Sequence, residues 1–98
     1  MIMGKVNIVY IGIIREITGK SSEEVGISGP VKVREVLSTL SRQYGNRFSD
    51  ELWPEKEDPD RSPYQFLVNG KNIWSLNGWD TEVRDGDSLL ISIPISGG

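Results

Sequence analysis

The spacing of hydrophobic residues changes several times along this chain, and each change marks an element. Residues 5–14, Lys-Val-Asn-Ile-Val-Tyr-Ile-Gly-Ile-Ile, are β-branched and aromatic with partial alternation. They predict a strand whose later half is apolar on both faces, the pattern of a central strand. Gly19-Lys20-Ser21-Ser22 carries turn chemistry, and Glu23 to Ser28 then alternates around Val25 and Ile27. The alternation predicts a second, half-exposed strand that forms an antiparallel hairpin with the first. Beyond Gly29-Pro30 the period lengthens: Val33, Val36, Leu37, Leu40 and Tyr44 share one helical face, so a helix is predicted from Val33 to Tyr44. Lys32 stands where a Ser, Thr or Asp cap is expected, a loss of about 1 kcal/mol. Gly45-Asn46 closes the helix.

From Ser49 to Pro63 periodicity disappears. Pro54, Pro59 and Pro63 interrupt the segment, and Asp50, Glu51, Glu55, Glu57, Asp58 and Asp60 outnumber Lys56 and Arg61. A loop is predicted, rather than a strand or a long helix. Six acids against two bases give this segment a net charge of −4, while the whole chain carries −3, so the acidity of the protein resides here. Such a loop is either a partner-specific arm or a solvated insertion. Strand chemistry resumes from Tyr64 to Asn69; Asn69-Gly70 is a hairpin-turn dipeptide leading to a short return strand over Lys71 to Trp74. Val83-Arg84-Asp85-Gly86-Asp87 predicts a tight turn, and Ser88 to Ile93 a final strand apolar enough for the inside of a sheet. The order of two strands, a helix and further short strands predicts an α+β domain over residues 1–98, a mixed sheet covered by one main helix. In this plan the two ends of the chain pair in parallel at the sheet centre.

Composition then narrows the chemistry. The chain has no cysteine and no histidine, which excludes disulfides, thiolate nucleophiles, Cys or His zinc sites and His-dependent general-base catalysis. Its eleven basic residues are dispersed and outnumbered by fourteen acids, so nucleic acid is not an expected partner. The apolar stretch from Ile8 to Ile14 is too short to cross a bilayer and runs at once into Arg15 and Glu16, which makes the cytoplasm the expected compartment and a membrane no expected partner. Asp85 and Asp87 flanking Gly86 form at best half of a calcium loop, since the following Ser88-Leu89-Leu90-Ile91 offers no later carboxylates. A turn accounts for them, and no metal site is expected. Trp53, Trp74 and Trp79 could form a binding surface or anchor core and loop.

The segment Ile93-Pro94-Ile95-Ser96-Gly97-Gly98 is the most informative. Terminal glycines add nothing to a fold, so a Gly-Gly ending alone reads as a frayed tail. Here, however, Pro94 stiffens the exit from a strand, Ile95 supplies an anchor, and Ser96 to Gly98 form a thin thread. Extended, residues 95–98 reach roughly 13 to 14 Å, which suits insertion into a narrow pocket of another protein.

These residues resemble a known family, the ubiquitin-like sulfur carriers of the β-grasp fold, and most of all the MoaD type, the small subunit of molybdopterin synthase. Val6 to Ile14 with Arg15-Glu16-Ile17-Thr18-Gly19 resembles the family's first strand and following turn, Val33 to Leu40 its helix, and Val68-Asn69-Gly70 its Val-Asn-Gly turn. Asp85-Gly86-Asp87, an apolar strand and Pro94-Ile95-Ser96-Gly97-Gly98 resemble its ending. Ile93 departs from the pattern by replacing the first of two prolines, as does Ser92, where Phe is common; the 49–63 loop is longer than in compact members.

The resemblance implies a β-grasp fold with a flexible tail over residues 94–98 and no catalytic groups of the chain's own. It implies that a MoeB-like, ubiquitin-activating-type adenylyltransferase uses ATP to activate the Gly98 carboxylate, which is then converted to a thiocarboxylate. Pro94, Ile95, Ser96 and Gly97 would be the partner-binding part of the tail. In a molybdopterin synthase the thiocarboxylate would enter a MoaE-like large subunit, which supplies the catalytic groups, and donate sulfur to a pterin precursor. No stably bound cofactor is implied. A ubiquitin-like modifier joined through Gly98 to target lysines, a sulfur carrier for thiamine or another pathway, and a passive interaction domain are alternatives the same ending permits.

Overall fold

The structure is a computed structural model that describes residues 3–93. The first strand, β1 (Gly4–Tyr10), is followed by a short helix α1 (Ile13–Thr18) and strand β2 (Ser22–Ile27). Then come β3 (Val31–Lys32), the main helix α2 (Val33–Tyr44) and a second short helix α3 (Asn46–Leu52). A 3-10 turn at Pro59–Arg61 precedes β4 (Gln65–Val68) and β5 (Lys71–Asn72). Two further 3-10 turns, Ile73–Ser75 and Gly78–Asp80, lead to β6 (Glu82–Val83) and β7 (Ser88–Ser92).

Five strands form one sheet in the order β2-β1-β7-β4-β5. β1 and β7 run parallel, with Val9 opposite Leu90 and Tyr10 opposite Ile91, so both ends of the chain meet at the sheet centre as predicted. The pairs β1–β2, β4–β7 and β4–β5 are antiparallel. A second, two-stranded sheet pairs Val31 with Val83 and Lys32 with Glu82, a connection the sequence pattern does not announce.

One face of the large sheet is the core. Val6, Ile8 and Tyr10 of β1, Leu89 and Ile91 of β7, and Phe66 and Val68 of β4 are buried beneath Val33, Val36, Leu37 and Leu40 of α2. The helix has the bounds its periodicity predicts. Lys32 offers no acceptor for the first turn, but the Glu35 carboxylate accepts from Lys32 N–H at 3.1 Å and supplies the other half of a capping box. Asn69-Gly70 forms the predicted β4–β5 turn, with φ of 50° and 85°, the two positive values that a twisted two-residue hairpin requires. The return strand β5 is shorter than expected, because Ile73 to Ser75 turns into 3-10 geometry with Asn72 Oδ1 accepting from Trp74 N–H at 2.9 Å.

Two expectations need correction. The first strand stops at Tyr10, and Ile13 and Ile14 belong to α1: Gly12 adopts φ 101°, which breaks the extended run, and Ile14 and Thr18 then bury one helical face. The segment 49–63 is not all loop, because Ser49 to Leu52 complete α3, whose Phe48 and Leu52 are fully buried. Phe48 packs against Tyr44 at 5.6 Å and edge-on against Tyr10 at 6.4 Å between ring centroids.

Candidate functional site

The residues singled out for the tail, Pro94, Ile95, Ser96, Gly97 and Gly98, lie outside the described residues. What the structure shows is the root from which they depart. β7 occupies the middle of the five-stranded sheet between β1 and β4, so Ile93 follows its central strand.

Around that point large apolar side chains stand open. Ile11, Ile13 and Ile93 are 50%, 51% and 42% exposed, unusual values for isoleucines gathered at one corner. Backbone pairing carries the β1–β7 ladder to this corner, with Ile11 N–H donating to Ile91 O at 2.9 Å. Gly12 lies beneath Ile93: a Cβ there would meet the Ile93 side chain at 3.6 Å, and its φ of 101° is a conformation that L side chains rarely adopt. The patch continues onto the face of the sheet turned away from α2, where Val9, Leu90 and Leu67 lie opposite one another on the three central strands, all half-buried. Ser92, at a position where the resembled family commonly has Phe, is buried and accepts a bond from Gln65 Nε2 at 3.2 Å.

A polar tie fixes this corner from the other side. Tyr10 Oη donates to Glu23 Oε2 at 2.6 Å, Tyr44 Oη donates to the same oxygen, and Lys20 Nζ lies 3.4 Å from Oε1. Burial pushes the Glu23 carboxyl up, but the two hydroxyls and Lys20 more than offset it, so the net displacement is downward. Burial, together with Glu23, drives the Tyr10 hydroxyl far above the ordinary phenol range. One carboxylate thus joins β1, β2 and α2 next to the turn that carries Ile11 and Ile13. Sequence reasoning passed over it; a lone Glu on a half-exposed strand carries no signal.

The Asp85-Gly86-Asp87 carboxylates are occupied with the backbone, as the turn reading requires. Asp85 Oδ1 accepts from Lys5 N–H at 2.9 Å, and Asp87 accepts from Arg84 N–H at 2.8 Å and Asn69 Nδ2 at 3.0 Å. Among the described residues no group of three His, Cys, Asp or Glu side chains is placed to hold a metal ion. No helix among them is long and apolar enough to cross a membrane. The tryptophans are neighbours rather than three separate anchors. Trp79 is half-buried and meets Phe66, Trp53 and Trp74 edge-on at 5.0, 6.0 and 5.3 Å, while Trp74 remains 53% exposed.

A mixed β-grasp sheet with one main helix across it and an apolar corner at the root of its last strand defines a ubiquitin-like protein. The model of the ThiS family matches residues 8–98, and the chain belongs to that family of small sulfur carriers. It is 34% identical over 67 residues to a protein of Archaeoglobus fulgidus named "Putative sulfur carrier protein", covering 67% of this chain and 73% of that one. It is 27% identical over 90 residues to small archaeal modifier protein 3 of Haloferax volcanii, covering 91% and 94% of the two chains. Among solved structures, small archaeal modifier protein 1 from Methanosarcina acetivorans superposes with a TM-score of 0.72 at 28% identity over 98% of both chains.

Proposed function

We propose that this chain carries sulfur on the carboxyl group of Gly98. The observation that supports it best is the ThiS-family match running from residue 8 through Gly98, on a fold whose central strand is the last one before that segment. In this reading a MoeB-like enzyme directs a Gly98 carboxylate oxygen onto the α-phosphorus of ATP, releasing pyrophosphate and leaving an acyl adenylate. A sulfide ion then attacks the acyl carbon and expels AMP, leaving a thiocarboxylate; where the donor is a persulfide, expulsion of AMP leaves an acyl disulfide, and a second thiol attacks the outer sulfur, releasing the thiocarboxylate and becoming oxidised to a disulfide. The chain contributes a substrate rather than catalytic side chains, which is consistent with a sequence free of cysteine and histidine. Gly97 and Gly98 keep the acyl carbon open to attack, and Pro94, Ile95 and Ser96 engage the partner's channel. The apolar corner of Ile11, Ile13 and Ile93 is where the mouth of that channel rests.

The acceptor favoured by the Arg15 to Gly19 and Pro94 to Gly98 segments is a pterin precursor, with a MoaE-like large subunit supplying the active site. A second reading, conjugation of Gly98 to target lysines, is favoured by the similarity to small archaeal modifier protein 3 across nine-tenths of the chain. Intact mass spectrometry after incubation with ATP, a sulfur source and the activating enzyme tests the carrier. An oxygen-to-sulfur mass increase on the chain supports it, and an unchanged mass overturns it. Formation of the dithiolene after adding the large subunit and the sulfur-free pterin supports the pathway; Gly-Gly remnants on lysines of other proteins support the modifier.

A further inference from the structure

The acidic segment, Trp53 and Trp79 build one feature that the tail does not use. Between α2 and the 53–61 stretch lies a cleft of about 430 Å³ with apolar walls from Leu37, Trp53, Pro59 and Trp79. Its volume falls within the range of small-ligand and side-chain pockets, ~300–1,000 Å³. Two cations reach its rim, and both are already neutralised: Arg34 Nη2 lies 2.8 Å from Asp80 Oδ1, and Lys56 Nζ lies 3.1 Å from Asp50 Oδ1. Lys56 is also the common wall with an adjoining recess built by Glu55, Glu57, Asp58 and Arg61. There Glu55 is paired with Arg61 at 3.4 Å, while Glu57 and Asp58 are exposed and form no ion pair among the described residues.

The cleft is held open by bonds at both ends of the loop. Trp53 N–H donates to Ser49 O at 2.8 Å, and Ser62 Oγ donates to Leu52 O. Tyr64 Oη donates to Glu51, and Trp79 Nε1 donates to Asp60 Oδ1 at 2.7 Å. An occupant therefore meets preset walls and does not bear the cost of ordering them.

We propose that this cleft is a docking groove for a protein segment that offers an apolar side chain flanked by lysine or arginine. The apolar walls take the anchor, and the unpaired Glu57 and Asp58 next to it face the flanking cations. Charge complementarity decides the class of occupant: the segment from Ser49 to Pro63 carries −4, which repels acidic peptides and nucleic acid and draws basic chains. The groove is separate from the Gly98 chemistry and stands whether or not that reading holds.

The test uses the full chain, immobilised, against a phage-displayed library of random peptides, followed by backbone-amide NMR mapping of an enriched peptide. Enrichment of sequences that pair an apolar residue with Lys or Arg is expected, with shifts at Ser38, Trp53 and Trp79. Ser38, exposed on α2, also lines the groove, so filling it with Ser38→Trp should abolish binding, while Ser38→Ala should bind as the parent does. Glu57→Lys with Asp58→Lys should weaken binding by about tenfold, and added salt should weaken the parent's binding in the same sense. No enrichment, a consensus without basic residues, or shifts that map elsewhere on the protein would overturn the proposal.

Discussion

Glu23 shows how much one side chain can decide. It satisfies two tyrosine hydroxyls and a lysine at a place where β1, β2 and α2 converge. Its carboxyl titrates below the ordinary value despite burial, so the folded state holds it ionised more tightly than the unfolded chain does. Stability from this tie is therefore complete above the ordinary carboxyl pKa and is lost as pH falls through the lowered one. Glu23→Gln should cost about 1–2 kcal/mol at neutral pH, and the gap to the parent should close on acidification; urea unfolding at several pH values measures it. Gly12 is the second decisive residue. Gly12→Ala should destabilise by about 1 kcal/mol through its positive φ alone, since the Cβ meets Ile93 only at ordinary contact distance. The turns at Asn69-Gly70 and Asp85-Gly86-Asp87 were legible because glycine at a positive φ marks a turn whatever its side chains later bond to. The Glu23 tie was not, because Tyr44 stands 21 positions away.

Among the elements, α2 was readable to its ends because five apolar residues repeat on one face over three turns. Leu40→Ala should lower stability by ~2–5 kcal/mol, since Leu40 is fully buried, and thermal or denaturant unfolding reports it. The short helices were misread for opposite reasons. In α1 the β-branched Ile13 and Ile14 carry strand propensity that a single glycine and the burial of Ile14 override. In α3 only Phe48 and Leu52 mark the buried face, and two points do not distinguish a helix from a loop that dips into the core. Leu52→Ala should accordingly cost as much as a core substitution, about 2–5 kcal/mol, although Asp50 and Glu51 precede it in the chain.

At the scale of the whole molecule, the parallel β1–β7 pair places the departure of the tail beside the β1–α1 turn. Gly98→Ala should leave the unfolding midpoint unchanged and abolish thiocarboxylate formation, as read by intact mass after the activating reaction. Ile13→Asp, on an exposed position, should also leave the fold intact while raising the KM of the activating enzyme for the chain by about tenfold. If loading of the Ile13→Asp chain matched the parent's, the apolar corner would have no part in partner docking.

The sequence by itself determined the fold class, the main helix, the parallel meeting of the two ends and the chemistry open to a chain without cysteine or histidine. Those features rest on periodicity and composition, which act locally or on every residue alike. Only the tertiary structure decided which exposed isoleucines share a corner, which hydroxyls find Glu23, and that Trp53 and Trp79 enclose one groove with α2 and the 53–61 stretch. Each depends on residues far apart in the chain, brought together by a sheet order that hydrophobic spacing constrains but does not specify.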